Sequence, residues 1–196
     1  KGLPDTRIGH SIRLMLGTGI GMGELLALSV DTIAPDGGWI KVVQAVKLGK
    51  KAKPYLGSVK AEKRYREIIV PDAIRPSARF LYANANKYII EGKKKEFPMH
   101  PSTYRRYYES AIKQVEGTRY LTPHCCRHTY ISHLENNNTD FAVIQALSGH
   151  SDKESTINYI HPQSQAIAEA VNGINDILTL PDDDSSPFAV HRGGKK

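Results

Sequence analysis

Strand-forming sequence is confined to one stretch of this chain, and that confinement decides the fold class. The run Trp39-Ile-Lys-Val-Val-Gln-Ala-Val46 is rich in β-branched and aromatic residues, follows the turn signal Asp36-Gly37-Gly38, and has a partner in residues 64–70. The sequence on either side has a helical period. Upstream, apolar residues at Ile12, Leu14, Met15 and Leu16 and then at Leu25, Leu26 and Leu28 are separated by Gly17, Gly19, Gly21 and Gly23. This predicts two helices joined by a tight turn, the second starting near Glu24. Downstream of Pro71 the pattern predicts helices over 73–91, 102–116, 123–135 and 140–147, a short one ending near Tyr159, and a last one over 163–178. Ser102 and Asp140 are the expected N-caps. The fold is therefore read as mainly α with one small antiparallel β-hairpin, in the α+β class.

A chain of 196 residues is long enough for one domain with a real core. Its 40% hydrophobic and 24% charged content excludes collagen-like, mucin-like and wholly disordered chains. No apolar run is long enough for a membrane span. Cys125 and Cys126 are adjacent, too few for a disulfide framework and wrongly spaced for a zinc knuckle, which fits a reducing, intracellular compartment. The last helix carries an apolar stripe of Ile167, Ala170, Val171, Ile174, Ile177 and Leu178, whereas residues 181–196 have no core-forming pattern and are expected to be disordered.

Charge points to a partner. Residues 41–67 hold nine basic side chains against Glu62 and Glu67, matching the net +7 of the whole chain. Lys50, Lys51, Lys53, Arg64 and Arg66 lie there, and Arg105 and Arg106 stand on a downstream helix. A polyanion is the natural partner, with the long connection between the strands forming a mobile, lysine-bearing loop along a phosphate backbone. The plainer reading of such a charge run is a solvated face kept basic for solubility.

Chemistry concentrates in Thr122-Pro-His-Cys-Cys-Arg-His-Thr-Tyr130, Leu147-Ser-Gly-His150 and Ser155-Thr-Ile-Asn-Tyr159-Ile-His161. His124 and Arg127 are three residues apart, so on a helix they share a face and can address one phosphate. A tyrosine hydroxyl at Tyr159 beside a guanidinium and imidazoles is a competent nucleophile toward phosphorus, because cations lower its pKa and offset charge on a pentacoordinate phosphorane. A lone tyrosine is more often a packed aromatic. The histidines His124, His128, His133 and His161 match no helical zinc motif, and no metal is expected. The glycine run lacks the Lys-Ser/Thr of a phosphate-binding loop.

Taken in order, these blocks resemble the catalytic domain of the tyrosine recombinase (phage integrase) family over residues 7–165. The family's H-x-x-R corresponds to His124-Cys125-Cys126-Arg127, its Leu-Gly-His to Leu147-Ser148-Gly149-His150 with one residue inserted, and its nucleophile to Tyr159. The basic segment Lys60-Ala61-Glu62-Lys63-Arg64-Tyr65-Arg66-Glu67-Ile68 is similar to the family's β-hairpin and makes Lys60 the catalytic lysine, with Ala61 and Arg64 departing from the common Thr and Ser. The block T-G-L/M-R-x-x-E-L is met by Thr18-Gly19-Ile20-Gly21-Met22-Gly23-Glu24-Leu25, in which Gly21 stands where the first catalytic arginine belongs.

The resemblance implies a catalytic domain over residues 1–180, with the helix at 163–178 open to exchange between protomers and an N-terminal core-binding domain outside this chain. It implies site-specific recombination, as in integration or excision of a mobile element, through a 3′-phosphotyrosyl intermediate. In that scheme Tyr159 attacks, Arg127 holds the phosphate, His124 exchanges protons with the tyrosine, Lys60 protonates the leaving 5′-oxygen and His150 donates to a non-bridging oxygen. Gly21 implies an impaired enzyme. No cofactor is expected, the full-length protein is expected to act as a tetramer on DNA, and its expected place is the cytoplasm, on the nucleoid. Two alternatives are a DNA-binding module that does not cleave and a type IB topoisomerase-like relaxation activity.

Overall fold

The computed structural model describes residues 2–58, 65–93, 96–119, 121–148 and 171–174. Helix α1, Arg7–Thr18, runs through the centre of the fold because Ile12, Leu14 and Met15 leave it on different sides and are all fully buried. The Thr6 side chain opens it by accepting from the Gly9 N–H at 3.2 Å. Ser11, the polar residue on its buried face, is satisfied: its hydroxyl donates to Ile8 O at 2.7 Å and lies 2.8 Å from the Tyr104 hydroxyl. Helix α1 packs on helices α3 (Arg75–Ala83), α4 (Pro101–Ile112) and α5 (Pro123–Asn136).

The turn out of α1 separates the glycines by role. Gly19 ends the helix at φ +65°, and its N–H closes onto Met15 O. A Cβ there would lie 2.4 Å from the Tyr130 ring. Helix α2, Met22–Ala27, then lies so close to the ribbon below it that a Cβ on Gly23 would come within 2.8 Å of Val46 O. Gly21 differs from both. Its φ is −75°, and a Cβ there would meet one atom within 4 Å, Glu24 Oε2 at 3.7 Å. The backbone does not require glycine at position 21.

Among the described residues four strands form two antiparallel pairs: β1 (Trp39–Val42) with β4 (Arg66–Ile69), and β2 (Gln44–Leu48) with β3 (Pro54–Ser58). The register sets Trp39 opposite Ile69 and Val42 opposite Arg66, then Gln44 opposite Ser58 and Leu48 opposite Pro54. The expected single strand over 39–46 is therefore broken at Val43, where the chain changes partner. The expected basic loop is corrected as well. Most of it is the ordered β2–β3 ribbon, which turns over a 3₁₀ segment at Lys50–Ala52 with Lys51 and Ala52 at φ +57° and +55°.

The helix expected over 73–91 stops at Ala83. Beyond it the buried Glu91 carboxylate accepts from the Asn86 N–H at 2.6 Å and the Lys87 N–H at 3.0 Å, replacing the carbonyl partners that a continued helix would have given those backbone groups. Helix α4 is capped by His100, whose Nδ1 accepts from the Ser102 N–H, so the cap lies two residues before the expected Ser102. Asp140 does open α6 (Phe141–Ser148), its carboxylate accepting from the Ala142 N–H at 2.7 Å. The expected helix ending near Tyr159 and the tail over 181–196 fall outside the described residues. Of the expected last helix, Val171 and Ile174 are described, and both are buried with Tyr130, Leu134, Val143, Ile144 and Leu147.

Urea unfolding of three variants tests the division among the glycines. Gly19→Ala is expected to lose about 2 to 4 kcal/mol from left-handed backbone and overpacking, and Gly23→Ala about 1 to 3 kcal/mol from the clash alone. Gly21→Ala should stay within about 1 kcal/mol of the parent.

Candidate active site

One carboxylate ties together three distant parts of the chain. Glu24, on the first turn of α2, accepts from both terminal nitrogens of Arg66 on β4, Nη1 to Oε1 at 3.0 Å and Nη2 to Oε2 at 2.9 Å. Its Oε2 also accepts from the Gly21 N–H at 2.9 Å and lies 3.7 Å from Arg127 Nη1 on α5. The same Arg127 nitrogen lies 3.5 Å from Gly19 O. The three side chains are 15%, 9% and 12% exposed for Glu24, Arg66 and Arg127, so the cluster is shielded from bulk water. Burial alone would raise the Glu24 pKa. The Arg66 hydrogen bonds and charge, the Gly21 N–H and the Arg127 charge outweigh it and hold the carboxyl below its ordinary value.

Helix α5 is fixed at its start by contacts from α4. The Tyr108 hydroxyl donates to Thr122 O at 3.4 Å and lies 3.5 Å from Cys126 Sγ. Burial keeps the Tyr108 phenol protonated, and burial pushes the Cys126 thiol up to about 11. Cys126 is thus a packing group, not a nucleophile. With Cys126 turned inward, His124 on the same first turn is exposed, its ring edge-on to His128 at 4.4 Å. Among the described residues no cluster of metal-ligating side chains forms.

Between α2, α4 and the start of α5 lies an open cleft of about 500 Å³. Gly21 and Met22 line it from the start of α2, Arg105 and Glu109 from α4, and Thr122, Pro123 and His124 from the start of α5. Three of the sequence-predicted positions, Gly21, His124 and Arg105, therefore meet in one space, and Arg127 is held behind Gly21 by Glu24. Arg106 is directed elsewhere, its guanidinium over the Tyr107 ring at 5.5 Å. Arg66 turns inward to Glu24 rather than outward with the ribbon lysines. Lys50, Lys51 and Lys53 are exposed at the ribbon tip, flanked by exposed Leu48 and Tyr55. That tip lies against α4, with His100 Nε2 at 3.3 Å from Ala52 O. Lys60, Arg64, His150 and Tyr159 lie outside the described residues. Sequence reading did not single out Glu24 or Glu109 as site residues. Glu24 had a signal, its place in the Thr18–Leu25 block, whereas Glu109 had none.

With the geometry in hand, the chain can be set beside known proteins. The model of the phage integrase family matches residues 4–166, and the chain belongs to that family. A tyrosine recombinase of Thermosipho africanus is 27% identical over 163 residues, covering 82% of this chain and 52% of that protein. The tyrosine recombinase XerD of Staphylococcus saprophyticus is 28% identical over 169 residues, again 82% of this chain and 52% of the relative. The chain thus spans about half the length of the curated relatives it matches. Among solved structures, the Tn1549 transposon integrase in complex with a circular intermediate DNA superposes with a TM-score of 0.63 at 20% identity, over 84% of this chain and 53% of that one. The helical fold with its small antiparallel sheets is that of this family's catalytic domains. No helix among the described residues is long and apolar enough to cross a membrane.

Two measurements follow from the site. Because the Glu24 pKa is lowered on folding, its stabilising contribution is complete above the ordinary carboxylate value of 4.5 and is lost as pH falls through the lower folded value. Glu24→Gln should flatten the acid limb of the stability–pH curve, and Glu24→Ala should cost about 3 kcal/mol or more by leaving two buried guanidiniums underpaired. An unchanged acid limb in Glu24→Gln would contradict the assignment. For the ribbon, replacing Lys50, Lys51 and Lys53 together with Gln should reduce the slope of log affinity against log salt on duplex DNA by about 2 to 3. An unaltered slope would remove the tip from the DNA interface.

Proposed function

We propose that this chain is the catalytic part of a site-specific DNA recombinase that cleaves and rejoins strands through a covalent tyrosine link. The observation that carries the reading is an Arg127 guanidinium set against the buried Glu24, one helical turn from an exposed His124 that lines the cleft. A guanidinium fixed by a buried carboxylate is preorganised for the non-bridging oxygens of a phosphate, and an imidazole one helical turn away is placed for proton exchange.

In the reaction the Tyr159 oxygen attacks the scissile phosphorus and gives its proton to His124. The P–O5′ bond breaks, Lys60 protonates the departing 5′-oxygen, and a 3′-phosphotyrosyl link remains. Arg127 offsets charge on the phosphorane, and His150 donates a hydrogen bond to a non-bridging oxygen. The phosphodiester bond energy is kept in the covalent link, so a 5′-hydroxyl from a partner strand reverses the step without a nucleotide cofactor. Strand exchange of this kind requires several copies on two duplexes, which makes a tetramer on double-stranded DNA the working form. The relatives named as tyrosine recombinases support site-specific recombination, and the similarity to a transposon integrase supports integration or excision of a mobile element as the biological task, which we place on DNA in the cytoplasm. Gly21 favours a second reading, in which the chain binds its site without cutting. A relaxation activity like that of type IB topoisomerases shares the same chemistry.

A nicked duplex that traps the covalent intermediate separates these readings. The parent chain should form a protein–DNA adduct, Tyr159→Phe should form none, and Arg127→Ala should slow adduct formation by about 10²- to 10³-fold. DNA bound with no adduct would favour the non-cleaving module. Plasmid relaxation without recombinant products would favour the topoisomerase-like reading.

A further inference from the structure

The proposed reaction leaves a charge unfilled. Glu24 already takes two hydrogen bonds from Arg66 and sits against Arg127, so one carboxylate offsets part of the positive charge that would face a phosphate. Position 21, at the mouth of the cleft, contributes only backbone. The fold does not demand that: φ is −75°, and the nearest atom to a Cβ there is 3.7 Å away. The space in front of Gly21 is accordingly open, and the α4 side chains that line the same cleft are Arg105 and Glu109.

Resting on the recombinase reading, we infer that Arg105 supplies from α4 the guanidinium that position 21 lacks, binding a non-bridging oxygen of the scissile phosphate across the cleft from His124. Other arginines near α1 are committed elsewhere. Arg13 donates to Leu3 O at 2.7 Å and Pro4 O at 3.4 Å and borders a different cavity, beside Tyr130 and His133. Arg7 lies 3.5 Å from the Glu91 carboxylate and bonds to Asn84 O. Arg66 is bidentate to Glu24. On α4 the buried stripe of Pro101, Tyr104, Tyr108, Ala111 and Ile112 faces the core, which leaves Arg105 and, one turn on, Glu109 on the cleft side. Arg106, the next residue round the helix, stacks over Tyr107. A guanidinium suits the task because it stays charged and its planar fork matches two phosphate oxygens. No bond is made or broken at Arg105: it stabilises charge.

The full 196-residue chain on the nicked duplex tests this, with adduct rate and duplex affinity measured for each variant. Arg105→Ala should slow adduct formation by about 10²-fold or more while changing affinity far less. Arg105→Lys should recover only part of the rate. Gly21→Arg placed in the Arg105→Ala background should restore most of it, a rescue that a purely structural role for Arg105 would not give. Lys113→Ala, an exposed change at the end of the same helix, serves as the control and should match the parent. Equal rates for parent and Arg105→Ala would overturn the inference while the adduct itself upholds the recombinase reading. So would a rate loss matched by an equal loss of affinity, a loss that Gly21→Arg fails to rescue, or an adduct formed by Gly21→Arg and not by the parent. No adduct from any variant would defeat both.

Discussion

The Glu24 carboxylate is the point on which the site depends. It is the group through which the turn after α1, the first turn of α2, strand β4 and helix α5 touch one another, and every contact is electrostatic and shielded. Buried ions are costly, and this cluster is tolerable because one carboxylate is shared by two guanidiniums and a backbone N–H, with both of its oxygens occupied. The arrangement leaves a net positive centre behind Gly21. A structural ion pair would have neutralised it, whereas a phosphate-binding site needs the surplus.

The surrounding fold exists to present that centre. Helix α1 carries the core and ends at Gly19 against the Tyr130 ring, so the turn that holds Gly21 cannot drift from α5. Tyr108 ties α4 to the residues that begin α5, which sets the width of the cleft between Arg105 and His124. The β2–β3 ribbon then extends the basic surface past α4, with His100 at the contact. The buried core, the open cleft and the exposed basic ribbon together suit a phosphate backbone.

Local signals in the sequence were legible where the deciding physics is local. The break between α1 and α2 and the turn at Asp36–Gly38 are written in glycines, the Asp140 cap in a side chain that reaches its own backbone, and the His124–Arg127 pair in helical spacing. Longer-range features were not. Strand β1 stops at Val43 because two different partners compete for one apolar run, and nothing in Trp39–Val46 says which residues will pair with which. Pro54-Tyr-Leu-Gly-Ser58 is a poor strand by composition and becomes one through its register with β2. Helix α3 ends early because Glu91 captures backbone donors that sequence reading assigned to a helix. The Glu24–Arg66 pair spans 42 residues, and the Arg105–Gly21 cleft joins two helices, so neither leaves a local trace.

The central claim is that Glu24 holds Arg127 ready for the scissile phosphate, and a double-mutant cycle on adduct formation measures that coupling most directly. The rates to compare are those of the parent, Glu24→Gln, Arg127→Lys and the double variant on one nicked duplex, under conditions where each chain remains folded. Once Arg127 is changed, the further loss of Glu24 should matter far less, with a coupling of about 1 kcal/mol or more. Rate losses that simply multiply would contradict it, because Glu24 would then serve the fold alone and Arg127 would owe its position to something else.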